Sequence, residues 1–201
     1  MKTKEPTVLD FAILGLLKKE SLSGYQIRKV FEETAMGNYS SSPGSIYPAL
    51  KRMQQLRYIG QILNDSSGKM QFAITPKGLE VLKDWILKPL ALVDVQKRLD
   101  ELLLRFAFMD DLVDKAQVLL FLDSLIELIQ THLTVLKEYV QQTEHQNPYY
   151  AQLAVDHGIQ TLKATLSWSK KVKNLINKVG LSKNLFIKSI FNQFFFDKKI
   201  L

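Results

Sequence analysis

Ser42-Pro43-Gly44-Ser45-Ile46-Tyr47-Pro48-Ala49-Leu50-Lys51-Arg52-Met53 is the stretch on which the fold turns. Ile46, Leu50, Met53 and Leu56 recur at the spacing of one helical face. Serine accepts from the unpaired N–H groups of a helix start, and proline fits the first helical position. A helix therefore opens at Ser42-Pro43-Gly44 or one or two residues later. Pro48 deep in that helix would cost about 3 kcal/mol, which places it in the first turn, with the start near Gly44. Ser42, Ser45, Tyr47, Lys51 and Arg52 are then left on or beside the exposed face.

Upstream, Leu9, Ile13, Leu16 and Leu17 mark a first helix, broken by Glu20-Ser21-Leu22-Ser23-Gly24. Ser23 with Gln26 three residues on is a capping-box pattern. It starts a second helix with Ile27, Val30, Phe31 and Thr34 inward, followed by a polar, glycine-containing loop over 36–42. Downstream, after Tyr58-Ile59-Gly60, the period shortens. Residues 59–63 and 70–75 read as strands, with Asn64-Asp65-Ser66-Ser67-Gly68 supplying turn chemistry between them. Thr75-Pro76 caps and launches a further helix, with Leu79, Leu82 and Ile86 inward. Helix, helix, helix, hairpin, helix is the order of a winged helix-turn-helix with a two-stranded wing. A helix has the right diameter for the DNA major groove, and serine, tyrosine and lysine can reach bases or phosphates. Lys69, at the hairpin, would lie near the adjacent backbone. Such units also serve as protein–protein modules, so an adaptor remains the rival reading.

The second half is helical throughout. Lys88-Pro89 marks a boundary, and Leu99, Leu102, Leu103 and Phe106 form a stripe. Leu119, Leu122, Ile126, Ile129, Leu133, Leu136 and Val140 then alternate three-four spacing in a coiled-coil-like seam, flanked by Val118, Leu125, His132 and Tyr139. Asn147-Pro148 ends this helix. A partner runs from about Ala151 with Val155, Ile159, Leu162, Leu166, Val172, Leu175, Ile176 and Val179 inward. A face this wide asks for a second copy. The expected organisation is mainly α: a winged-helix domain over 1–88, a helical dimerisation domain over 89–180, and a basic, aromatic extension over 181–201. In that extension Ile187, Ile190, Phe191 and Phe194 share one helical face. Packing onto the dimer is the expected role, ahead of disorder or attachment to a membrane surface.

The 201 residues carry 27 Lys and Arg against 20 Asp and Glu, a formal charge of +7. Residues 1–86 hold a net +4, residues 87–169 a net −4 and residues 170–201 a net +7. Basic charge permits nucleic-acid binding without specifying it. With no cysteine there is neither disulfide nor thiolate metal site, which suits a reducing compartment. The apolar run from Phe11 to Leu17 is preceded by Asp10, closed by Lys18-Lys19-Glu20 and lacks a small-residue cleavage site. No run reaches the ~18–20 apolar residues of a membrane span, so the expectation is a cytoplasmic chain. His132, His145 and His157 fit no compact zinc pattern, and His132 reads as a buried, satisfied core residue. Phosphate loop and serine-nucleophile motifs are absent. Asp110, Asp111, Asp114, Asp123 and Glu127 read as a solvated face. No catalysis, cofactor or metal is expected.

Four stretches together resemble the PadR family of bacterial transcription regulators. They are Phe11-Ala12-Ile13-Leu14-Gly15-Leu16-Leu17, Leu22-Ser23-Gly24-Tyr25-Gln26-Ile27, Gly44 to Met53, and Phe72-Ala73-Ile74-Thr75-Pro76-Lys77-Gly78. The Ile46-Tyr47-Pro48 phrase is the family's most recognisable. Phe72 stands where tyrosine is usual, and Arg57-Tyr58 replaces an acidic-glycine pair before the wing. Looser likeness continues in Asp100 to Phe106, Leu153 to Ile159 and Ser167-Trp168, matching the longer subclass with a helical C-terminal domain. The resemblance implies a homodimeric regulator, more often a repressor, whose third helix reads the major groove of a palindromic operator. It implies recognition contacts from Ser42, Ser45, Tyr47 and Lys51, and backbone contacts from Tyr25 and Lys69. Tyr47 could instead pack beside Ile46, Tyr25 could staple the second helix to the first, and Arg52 could be a solvated charge. A small hydrophobic or aromatic effector is a further implied partner; Tyr149, Tyr150, His157 and Trp168 could line its pocket, but are as readily core or interface residues.

Overall fold

The computed structural model describes residues 5–39, 43–64, 69–143 and 148–179. Ser42, most of the hairpin turn and the extension over 181–201 lie outside them. The described chain divides after Ile86 into two compact units.

In the first unit, helix α1 (Val8–Lys19) is the central element, and every residue from Asp10 to Leu17 is buried. Thr7 caps it: its N–H donates to Asp10 Oδ2 at 2.8 Å, and Asp10 N–H returns a bond to Thr7 Oγ1 at 3.4 Å. Helix α2 (Gly24–Glu33) opens on the expected box, with Ser23 N–H donating to Gln26 Oε1 at 2.8 Å and Gln26 N–H to Ser23 Oγ at 3.2 Å. Ile27 and Phe31 point into the core. The expected polar loop instead begins with a 3-10 turn, Ala35–Tyr39, that buries Met36 fully.

Helix α3 (Ile46–Gln55) follows a second 3-10 turn, Pro43–Ser45. Pro48 is its third residue, in the first turn, where a missing N–H breaks no helical bond. Ile46, Ala49, Leu50 and Met53 are buried. At the other end Tyr58 N–H donates to the Met53 carbonyl at 2.9 Å, and Arg57 takes φ 60°. That is a left-handed helix stop of the kind glycine usually supplies. Lys77 Nζ donates to the Leu56 carbonyl at 3.0 Å, satisfying another terminal acceptor.

Strands β1 (Ile59–Asn64) and β2 (Lys69–Ile74) pair antiparallel from Ile59↔Ile74 to Asn64↔Lys69. Leu22 adds a bridge to the outer edge of β2, exchanging two backbone bonds with Phe72. Helix α4 (Pro76–Leu87) starts where Thr75 Oγ1 accepts from Gly78 N–H at 3.0 Å and donates to the Arg57 carbonyl at 2.7 Å. Gly78 cannot be larger: a Cβ there would lie 2.0 Å from the Tyr58 carbonyl oxygen. The inner face of α4 therefore runs through Gly78, Leu82, Trp85 and Ile86, and the expected inward Leu79 is exposed. Trp85 stacks on Phe11 with ring centres 4.4 Å apart.

The second unit comprises α5 (Leu92–Lys97), α6 (Leu99–Ala107), α7 (Lys115–Thr143) and α8 (Tyr149–Val179). Helix α7 buries Val118, Phe121, Leu122, Leu125, Ile129 and Leu133, packing on α5 and α8. This face is rotated from the expected seam: Leu119, Ile126, Leu136 and Val140 are only half-buried. Helices α7 and α8 are antiparallel, with Lys115 Nζ donating to the Asn177 carbonyl and Lys173 ion-paired to Asp123. Trp168 meets Phe106 edge-on at 5.3 Å, and Phe106 lies 6.2 Å from Phe121. Arg105 is buried, donates to the Lys88 carbonyl and sits 5.5 Å from the Phe121 ring. Burial lowers its pKa, opposed by Glu101 and Asp94. His132 departs from expectation: it is half-buried, its Nδ1 has no partner among the described residues, and burial lowers its pKa. By length and composition alone α7 would suffice to cross a membrane; the apolar content that gives it this character is in part the stripe it buries on α5 and α8.

Candidate nucleic-acid interface

The exposed side of α3 is set by its buried side. With Ile46, Leu50 and Met53 inward, Tyr47 and Lys51 stand one turn apart on the outer surface. Tyr47 is 52% exposed. Its ring is held from one edge by Gly24: a Cβ at that position would lie 2.9 Å from Tyr47 Cε1. The packing partner of Tyr47 is thus the backbone of α2, which leaves most of the phenol outward.

The N-termini of α2 and α3 consequently meet around Gly24, and both carry the partial positive charge that favours phosphate. Tyr25, the next residue, is 57% exposed, so it does not staple α2 to α1. Arg28 and Lys29 lie 5.6 and 6.0 Å from its ring centre. Both pair with carboxylates one turn on, Arg28 with Glu32 at 3.7 Å and Lys29 with Glu33 at 3.3 Å. These two cations were not singled out from sequence; their spacing of three and four residues from Tyr25 is the signal that could have found them.

Ser45 and Arg52 occupy a different flank. Ser45 is half-buried and, with Thr7, Val8, Leu9, Tyr39, Pro48 and Arg52, lines an open depression of about 410 Å³ beside the start of α1. Arg52 is not a solvated charge. Its guanidinium meets Asp10 Oδ1 at 2.5 Å, and Asp10 is only 1% exposed. The Asp10 carboxylate therefore caps α1 through Thr7 and anchors α3 through Arg52. Lys69 begins β2, exposed, opposite Asn64. Among the described residues, then, Tyr25, Tyr47 and Lys51 cluster at the meeting of α2 and α3, Ser45 faces the α1 flank and Lys69 sits on the wing; Ser42 lies outside these residues.

The four aromatic and histidine side chains considered for an effector pocket are not gathered. All lie on α8, and Tyr149 and Trp168 are nineteen residues apart, about 28 Å along a helix. Tyr149 and Tyr150 are exposed, touching each other, while Trp168 packs on Phe106. Among the described residues no group of three or more histidines and carboxylates is placed to hold a metal.

Residues 13–84 match the transcriptional regulator PadR-like family, and residues 100–177 match the virulence activator alpha C-terminal family. The negative transcriptional regulator PadR of Bacillus subtilis is 27% identical over 181 residues, spanning 85% of this chain and 98% of that protein. The transcriptional regulator YqjI of Escherichia coli is 37% identical over 76 residues, 38% of this chain and 36% of that one. Among solved structures, Bacillus subtilis PadR in complex with operator DNA is 23% identical, with 84% of this chain and 99% of that chain covered at a TM-score of 0.38.

Proposed function

We propose, on the premise that this chain belongs to the PadR-like family of transcriptional regulators in its longer form, that it binds double-stranded DNA sequence-specifically as a homodimer. The family is one of regulators and not of enzymes. Helix α3 lies in the major groove, with Tyr47 and Lys51 toward the bases and phosphates and Ser45 on the flank that faces α1; the contact expected of Ser42 lies outside the described residues. Tyr25 and Lys69 touch the backbone to either side. Two copies read a palindromic operator through half-sites about 34–36 Å apart. Repression is the expected sense, in keeping with the Bacillus subtilis relative described as a negative regulator. Release by a small hydrophobic or aromatic effector belongs to the same reading.

The observation that carries the proposal is the outer face of α3. Tyr47 and Lys51 are exposed on a helix whose other sides are fixed by core packing and by the Arg52–Asp10 pair. A surface so rigidly held, joined to two helix N-termini, suits a partner of fixed shape and negative charge.

Anisotropy titrations against DNA from upstream of the protein's own gene, at two salt concentrations, test it. Lys51→Ala is expected to weaken binding and to lower the salt slope by about 1 if it contacts a phosphate. Tyr47→Ala is expected to relax sequence preference while leaving the slope in place. Wild-type binding by both variants would remove α3 from the groove. Weak binding without sequence preference by the wild type would favour the adaptor reading instead.

A further inference from the structure

We infer that Leu63 and Met70 of the wing enter the minor groove of the bound duplex as an apolar wedge, a contact that rests on the reading of α3 in the adjoining major groove. Partners across an antiparallel pair share a face, and successive rungs two residues apart share it too. Ile59↔Ile74, Gln61↔Phe72 and Leu63↔Met70 therefore form one surface of the hairpin. Along it burial fades: Ile59 is buried, Ile74 and Phe72 are half-buried, Gln61 opposite Phe72 is exposed, and Leu63 and Met70 are 60% and 50% exposed. The face that seals the domain core thus runs on, past the exposed Gln61, to an apolar pair that the described residues leave uncovered.

That face is also the one turned toward the recognition elements. A Cβ on Gly24 would lie 3.6 Å from Phe72 Cε2 and 2.9 Å from Tyr47 Cε1, so the ring of Phe72 and the exposed phenol of Tyr47 meet the same backbone. Leu63 and Met70 extend this surface outward on the side that Tyr47 occupies. Lys69, next to Met70 and exposed, supplies a cation at the same end of the hairpin. A wing made only to touch phosphate would carry polar or basic side chains here. Bare leucine and methionine on a hairpin invite association with other chains unless something covers them. Proteins that bind the minor groove place such residues between base steps, opening the stack and bending the duplex. The chemistry on this wing, an apolar pair beside one cation, fits that groove and its flanking phosphates.

The probe is a duplex selected by the wild-type protein from a randomised library, labelled at both ends so that energy transfer reports its bend. Leu63→Gln with Met70→Gln is expected to weaken binding about ten-fold and to straighten the duplex, with the salt slope unchanged. Lys69→Ala is expected to lower the slope by about 1 with the bend retained. Both positions are exposed, so a thermal melt equal to wild type is the control for folding. A folded double variant that binds and bends the duplex like wild type overturns the wedge and leaves DNA binding standing. So does a variant that changes self-association, by sedimentation, with DNA affinity unaltered, since the patch would then be a protein contact. If the wild type selects no duplex, DNA binding fails and the wedge with it. Should the double variant misfold, 2-aminopurine placed at successive steps of the selected duplex decides the matter with wild-type protein alone: unstacking at a step outside the α3 contact supports the wedge, and none overturns it.

Discussion

Arg57 pays a conformational cost that its neighbours avoid. Its φ of 60° lies in the left-handed region, where a side chain beyond glycine is disfavoured by about 1–2 kcal/mol. The position closes α3: Tyr58 N–H turns back to Met53, and Thr75 Oγ1 donates to the Arg57 carbonyl, so the backbone cannot relax elsewhere. The resemblance to a family that carries an acidic-glycine pair near this point is intelligible on those grounds, although the strained residue is Arg57 itself. Arg57→Gly should raise the unfolding free energy by about 1 kcal/mol, after allowing for the greater freedom of glycine in the unfolded chain. Urea denaturation would show it as a higher midpoint. A lower midpoint would mean that the arginine side chain holds something more valuable than its backbone strain.

Elements are joined by contacts that no local pattern announces. The Ser23–Gln26 box, the Thr75-Pro76 start and Pro48 in a first turn are visible in sequence because the groups involved lie within a few residues of each other. Asp10 and Arg52 are 42 residues apart, and only the packing of α3 on α1 brings them together. Arg52→Met would leave the Asp10 carboxylate with Thr7 as its remaining partner among the described residues. Removing one partner of a buried pair costs about 3–5 kcal/mol, reduced here toward 2 because Arg52 keeps some contact with water. A double-mutant cycle with Asp10→Asn should recover part of that loss; strict additivity would show the pair to be decorative. Helix α7 illustrates a different limit. Its apolar residues satisfy three-four spacing in two overlapping registers, so the periodicity identified the helix but not which stripe faces inward. Packing on α5 and α8 selects the face, the one on which Leu125 and Ile129 are buried. His132 follows from that rotation. Burial holds its folded pKa below the ordinary 6.5, so the unfolded chain takes up the proton first as pH falls. Stability contributed by neutral His132 is intact above pH 6.5, erodes below it and is lost as pH drops through the folded value. In His132→Leu the denaturation midpoint should fall less between pH 7 and pH 5 than in wild type. An unchanged profile would assign the acid sensitivity to other groups.

At the scale of the molecule the question is what covers the free end of the α7–α8 hairpin. Toward its base, Phe106 meets both Phe121 and Trp168. Toward its tip, Leu136, Val140 and Val155 are only half-buried, and Val135, Tyr139, Tyr149, Tyr150 and Leu153 are exposed. Among the described residues the two helices here bury one face each against the other, which leaves this end short of a third layer. In the proposed homodimer a second copy bringing the same hairpin would supply it, and a two-fold axis there would make the patch its own complement. On that proposal dimerisation would matter for DNA because the second half-site would be met at a high effective concentration, raising affinity without any new contact to bases. Val135→Glu with Tyr139→Glu tests the link directly. Both side chains are exposed within one chain, so the helical signal and thermal unfolding of the unit should hold while sedimentation velocity shifts from dimer to monomer. Affinity for a two-half-site duplex should fall by at least ten-fold, and affinity for a single half-site should stay the same. A variant that remains dimeric would move the interface off this face. One that becomes monomeric yet binds the full operator like wild type would separate dimerisation from recognition, leaving a regulator that reads one half-site at a time.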